Sequence, residues 1–195
     1  MKKNTSFFKS MDSGSLSSIH NDGISYVILE RELSDSIHRS ISFAKELNLQ
    51  FQSDYLSLKH NIETKMRESY DLLKHLFLDT MYCAELYRTV SGKRNFRIKL
   101  NTVSSVTCPR FHCDFTVLRM LCTYTGLSTQ FIERKGRNFG FPINETLISK
   151  EEIISSGTGN IMIMKGEKYQ NNAGNGLIHR SPSANEQRIL LVIDE

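Results

Sequence analysis

In the segment Cys108-Pro109-Arg110-Phe111-His112-Cys113-Asp114, an imidazole and a carboxylate stand two positions apart. On extended backbone alternate side chains leave the same face, so His112 and Asp114 are expected to enter one cavity while Cys113 points away. Imidazole plus carboxylate is a half-site for iron, manganese or zinc. A second segment, Gly176-Leu177-Ile178-His179-Arg180-Ser181-Pro182, puts His179 at the end of a short apolar strand, just before a turn. His112, Asp114 and His179 are therefore the candidate metal ligands. Arg188 opens a further strand nine positions after His179. A guanidinium there can grip a carboxylate through a two-pronged hydrogen bond, which lysine copies less well.

Plainer readings stand beside these. His112 would bond Asp114 or the backbone, His179 would simply end a strand, and Arg188 would pair with a surface carboxylate such as Glu186. Cys108, four residues before His112, would bring a thiol and favour a closed four-ligand zinc site, although Pro109 interrupts the alternation that would aim it. Arg119 lies among Val117, Leu118, Met120 and Leu121 and either meets solvent, the reading taken here, or lines the pocket; Arg180 faces outward by alternation.

The elements that must position these groups follow from periodicity. Residues 1–23, rich in Ser, Asn, Asp and Gly, read as a flexible leader. Residues 24–195 form a single domain, with a strand and supporting helices over 24–92 and a barrel carrying the metal site over 93–195. Ile24 to Leu29 has strand composition. Ser34 and Asp35 cap a helix whose apolar face is Ile37, Ile41, Ala44 and Leu47. One long helix is expected from His60 to Tyr87, its stripe running Ile62, Met66, Tyr70, Leu73, Phe77, Met81 and Ala84. After Ser91-Gly92-Lys93 the period falls to two. Phe96, Ile98 and Leu100 mark a half-buried strand, and short strands follow at Val117–Tyr124, Thr129–Ile132, Ile161–Met164, Leu177–His179 and Arg188–Ile193. Helices followed by many short strands indicate an α+β fold, a double-stranded β-helix (jelly-roll) barrel braced by N-terminal helices.

With 195 residues, 39% of them apolar, the chain has material for one core, within the usual size of a single domain. The net charge of +4 is mild, and the short basic run Arg134-Lys135-Gly136-Arg137 suits a solvated loop better than a nucleic-acid surface. A third reading is a nucleic-acid or protein demethylase in which Arg134, Lys135 and Arg137 contact phosphate. Cys83, Cys108, Cys113 and Cys122 form no Cys-x-x-Cys pair and are read as reduced thiols of a cytoplasmic protein. Phe7-Phe8 is too short for a signal-peptide core. No apolar run reaches the roughly 20 residues of a membrane helix, so no membrane partner is expected.

The order His-x-Asp, distal His, then Arg resembles the Fe(II)/2-oxoglutarate dioxygenase superfamily over roughly residues 96 to 195. Leu121-Cys122-Thr123-Tyr124-Thr125-Gly126 with Thr129-Gln130-Phe131 resembles the strand and turn after the first ligands in prolyl-hydroxylase-like members. Across most of the chain, Cys-Pro-Arg-Phe-His-x-Asp, Leu-Arg-x-Leu-x-Thr-Tyr-x-Gly and His-Arg-Ser-Pro resemble a bacterial family known as domain of unknown function 1826. The superfamily resemblance implies Fe(II) on His112, Asp114 and His179. It also implies 2-oxoglutarate anchored by Arg188 with Tyr124 and Thr129 nearby, and oxidation of an unidentified small-molecule or protein substrate. The alternative is a non-catalytic protein holding zinc on the same ligands.

Overall fold

A computed structural model describes residues 7–135, 143–182 and 186–195. The strands in chain order are β1 (Phe7–Ser10), β2 (Tyr26–Leu29), β3 (Asn48–Asp54), β4 (Asn95–Val103), β5 (Leu118–Thr125), β6 (Gln130–Lys135), β7 (Ile154–Ser155), β8 (Ile161–Lys165), β9 (Leu177–Arg180) and β10 (Arg188–Asp194). The helices are α1 (Asp35–Phe43), α2 (Tyr55–Lys65) and α3 (Tyr70–Ser91), with a 3-10 helix at Ser13–His20. Two sheets form: seven strands in the order β1-β2-β8-β5-β10-β4-β3, and three in the order β7-β6-β9. The expected α+β class is present, and the described strands form two facing sheets.

Burial explains the layering. One face of the large sheet offers Val27, Leu29, Ile98, Leu100, Met120, Cys122, Ile161, Ile163, Leu191 and Ile193 to a core shared with Leu73, Leu76, Phe77 and Ala84 of α3. Its other face offers Tyr26, Ile28, Leu121, Met162 and Met164 to Phe131 and Leu177 of the small sheet. β2 and β8 are covered on both sides and buried at every position, hence the apolar runs Tyr26–Leu29 and Ile161–Met164. In β4, Phe96, Ile98 and Leu100 are buried against the helices while the residues between them stay partly exposed, which gives the alternation visible in the sequence.

Three expectations need correction. The leader assigned to residues 1–23 is part of the fold from Phe7 onward: β1 pairs in parallel with β2, and Leu16 and Ile19 are fully buried. These two apolar groups, spaced three apart within a polar stretch, provide the burial that orders it. The single helix expected over 60–87 is two. α2 ends at Met66, whose φ of −117° leaves the helical region, and α3 restarts after Ser69. The stripe Ile62–Met66–Tyr70 spans the break, which is why periodicity hides it. β3 was not anticipated, although Leu49 and Ser53 point into the protein between exposed Asn48, Gln50 and Gln52.

The helix layer is fastened to the sheet by polar contacts. Arg31, just after β2, makes a two-pronged pair with Asp79 of α3, at 2.6 and 2.7 Å. The Tyr124 hydroxyl of β5 donates to the same carboxylate at 2.7 Å. Removing one partner of a buried pair leaves the other charge without compensation, at a cost of about 3–5 kcal/mol. Asp79→Ala is therefore expected to lower unfolding stability by about 3 kcal/mol in chemical denaturation. A loss under about 1 kcal/mol, the range of surface pairs, would show that the fastening is unimportant.

Candidate metal centre

His112 and His179 face each other across an isolated antiparallel bridge. The His112 amide donates to the His179 carbonyl at 3.0 Å, and the His179 amide returns a bond to the His112 carbonyl at 2.9 Å. Directly opposed residues of such a pair share a face, and the two rings lie 4.4 Å apart between centroids. The neighbouring residues point the other way. Phe111 and Ile178 pack with Ile132 on the outer face of the small sheet, and the Arg180 guanidinium lies 4.3 Å over the Phe111 ring. Arg180 thus faces outward, bonded to Gln130 at 2.9 Å.

Each imidazole is fixed in orientation by its own strand. Nδ1 of His112 donates to the Arg110 carbonyl and Nδ1 of His179 to the Leu177 carbonyl, both at 3.0 Å. A carbonyl only accepts, so Nδ1 carries the proton and Nε2 keeps its lone pair free for a cation. Asp114 completes the set: Oδ2 lies 3.2 Å from His179 Nε2 and Oδ1 lies 3.6 Å from His112 Nε2. One ligand atom from each of the three residues falls within 4.8 Å of the others. Burial opposes the Asp114 charge, but the adjacent His112 and His179 imidazoles and the Arg119 guanidinium hold the carboxyl well below the usual carboxylate range. Its contact with Asp114 in turn raises the His112 pKa.

Two nitrogens and one carboxylate without a thiolate suit Fe(II) or a similar divalent ion, with coordination positions left open. Cys113 is turned away: its thiol donates to the Gly176 carbonyl at 3.2 Å, and burial, then Glu167, pushes it up to about 12. Cys108 is exposed and is not part of the ligand group found among the described residues. The four-ligand zinc site is therefore not formed.

Sequence reading missed the groups that hold the ligands. The Glu167 amide donates to the Asp114 carbonyl at 2.8 Å. Its carboxylate accepts from the Gly174 and Gly176 amides, at 2.5 and 3.0 Å. It thereby ties the His-x-Asp segment to the loop that leads into β9. A Cβ on Gly176 would stand 2.7 Å from Glu167 Oε1, so only glycine leaves room for this contact. For Arg119 the structure shows the pocket-lining reading and not the solvent-facing one: it points inward and donates to Asp114 Oδ2 at 2.5 Å. Alternation along β5 puts it on the same face as Leu121, but the sequence does not say which face meets the metal centre.

Arg188 is 3% exposed. Its Nη1 donates weakly to the Leu127 carbonyl at 3.4 Å, and its buried Nη2 has no partner among the described residues. Burial lowers its pKa. Gly126 (φ +77°) lies against it, and a Cβ there would come 2.8 Å from Arg188 Cγ and the Gln187 carbonyl. Thr129 is buried two residues before Phe131, which pairs with His179 across β6 and β9. Tyr124 is a correction. It projects to the opposite face of β5, where it meets Asp79 and packs with the α3 core, so it does not share a cavity with the ligands. Arg137 lies outside the described residues, as do the side chains of Arg134 and Lys135. No described helix is long and apolar enough to cross a membrane.

Several solved structures are similar in shape. Dioxygenase for auxin oxidation 1 from Arabidopsis thaliana, a 2-oxoglutarate complex, aligns at 14% identity and TM-score 0.41, covering 76% of this chain and 61% of that one. The dioxygenase for auxin oxidation of rice aligns at 11% identity and TM-score 0.43, covering 84% and 64%. A Pseudomonas putida prolyl-4-hydroxylase aligns at 11% identity and TM-score 0.38, covering 84% and 95%. The chain thus spans less than two thirds of the length of either auxin-oxidation dioxygenase. No curated protein matches the sequence. A family model does match, over residues 10–194, and by it the chain belongs to the family described as Protein of unknown function (DUF1826).

Proposed function

We propose that this protein is an Fe(II)- and 2-oxoglutarate-dependent oxygenase. The reading is carried by the convergence of the His112, Asp114 and His179 ligand atoms within 4.8 Å. The buried, half-unpartnered guanidinium of Arg188 supports it. An arginine taken out of water normally has its donors satisfied, and an open Nη2 is what the carboxylate of a bound cosubstrate would fill.

When bound, Fe(II) would let dioxygen oxidise both 2-oxoglutarate and substrate: one oxygen atom enters the 2-oxo acid, which loses carbon dioxide to become succinate, and the other is inserted into a substrate C–H bond. The protein's part is placement. His112 and His179 present Nε2 lone pairs, Asp114 contributes the anionic oxygen, and Arg188 holds the distal carboxylate of the 2-oxo acid. Gly126 leaves Arg188 its space, and Thr129 stands ready to line the cosubstrate. Tyr124 has no role in this scheme. The substrate is an unidentified small molecule or protein, and the cytoplasm is the proposed compartment.

Purified protein with Fe(II), ascorbate and 2-oxoglutarate is expected to release succinate, slowly without substrate, and His179→Ala is expected to abolish this together with metal binding. Absence of both succinate release and cosubstrate binding in the wild type would end the proposal. Arg188→Met is expected to weaken 2-oxoglutarate binding by about 10- to 100-fold, the worth of charged hydrogen bonds of about 1.5–3 kcal/mol, while leaving metal affinity unchanged. Arg188→Lys should recover part of the loss, because it restores charge without the fork. Gly126→Ala, which strains the turn and displaces Arg188, should raise the KM for 2-oxoglutarate without altering metal content; an unchanged KM would separate Arg188 from the cosubstrate.

A further inference from the structure

Arg119 has more contacts than a side chain merely lining a cavity. Its Nη1 donates to Asp114 Oδ2 at 2.5 Å, while Nε and Nη2 both donate to Asp194 Oδ2, at 2.9 and 2.5 Å. Asp194 is 2% exposed and is held from its other oxygen by Arg97 Nε at 2.8 Å. Arg119 and Asp194 are also direct cross-strand partners on β5 and β10. The planar guanidinium therefore spans two carboxylates, one anchored in the sheet and one in the ligand set.

The two oxygens of Asp114 are not equivalent as a result. Oδ2 is engaged by Arg119 at 2.5 Å and approached by His179 at 3.2 Å. Oδ1 faces His112 Nε2 at 3.6 Å, beyond ordinary hydrogen-bond length. A carboxylate free to rotate can ligate through both oxygens, whereas one whose Oδ2 is already shared with a guanidinium favours ligation through the other oxygen.

We propose that Arg119 is a positioning residue for the metal centre: it retains Oδ2 of Asp114, leaves Oδ1 as the single ligating oxygen, and is itself aligned by Asp194. The inference rests on the metal reading above. It gives the carboxylate one coordination position instead of two, and the position saved stays open for exogenous ligands. β10, which begins with Arg188, ends on the residue that sets the orientation of the Asp114 clamp.

The test uses the full chain freed of metal and titrated with Co(II) alone, followed by calorimetry and by visible absorption, with Asp114→Ala as the control for the site. Arg119→Gln is expected to bind Co(II) about tenfold more weakly, the usual cost of losing a partner of a metal ligand. Its d–d bands should change as the second oxygen reaches the ion. Arg119→Lys keeps the charge and stem, so it folds if the glutamine variant does not. It cannot span both carboxylates, and its spectrum should also depart from wild type. Wild-type affinity and superimposable spectra in the folded variants would overturn the inference while leaving the metal centre intact. Wild-type protein showing no Asp114-dependent Co(II) binding would instead remove the metal centre, and the inference with it.

Discussion

Two main-chain hydrogen bonds join His112 to His179, and the cluster of candidate ligands depends on them. They bring together residues 67 positions apart in sequence (179 − 112) on neighbouring extended segments. They also fix both side chains to one face. Direction then follows from the pleat: Phe111 and Ile178 bury outward, so the histidines between their neighbours must turn inward. The apolar packing on the outside of the small sheet thus holds the imidazoles on its inside. A one-residue slip would exchange the two sets and send both histidines out of the cavity.

The large sheet serves as the backing for this arrangement. Its helix-facing side is a continuous apolar core, closed by the Arg31–Asp79–Tyr124 contacts. Its other side grades from apolar residues under the small sheet to the charged row Arg97, Arg119 and Asp194 beside the ligands. The same strands therefore carry the apolar core on one face and the candidate centre on the other, alternating residue by residue. Tyr124 illustrates the rule: its position in the chain is close to the site, yet its side chain belongs to the core layer.

Much of this could be read from the sequence, for identifiable reasons. The strands β4, β5, β8, β9 and β10 announced themselves through period-two or continuous apolar runs between Gly and Pro. The candidate triad was legible through order: His112 and Asp114 at alternate positions are a weak signal alone, and His179 followed by Arg188 gave them meaning. What escaped were features whose cause lies elsewhere in the chain. Leu16 and Ile19 become core only because β2 and β8 leave a face to cover. The break between α2 and α3 carries neither Gly nor Pro, and its apolar stripe passes through uninterrupted. Arg119 and Glu167 are ordinary charged residues until Asp114 and the Gly174–Gly176 amides are set beside them. Which face of β5 meets the ligands is a matter of topology, and local pattern is silent on it.

Glu167 has a thermodynamic consequence of its own. Because its carboxylate gathers the Gly174 and Gly176 amides and its amide meets Asp114, the geometry of the centre is set by internal bonds before any ion arrives. In small zinc modules the cation does the folding, and binding energy and folding energy are one quantity. Here the two are separable. For an ion bound as proposed, the entropy of assembling the three side chains is already lost when the polypeptide folds.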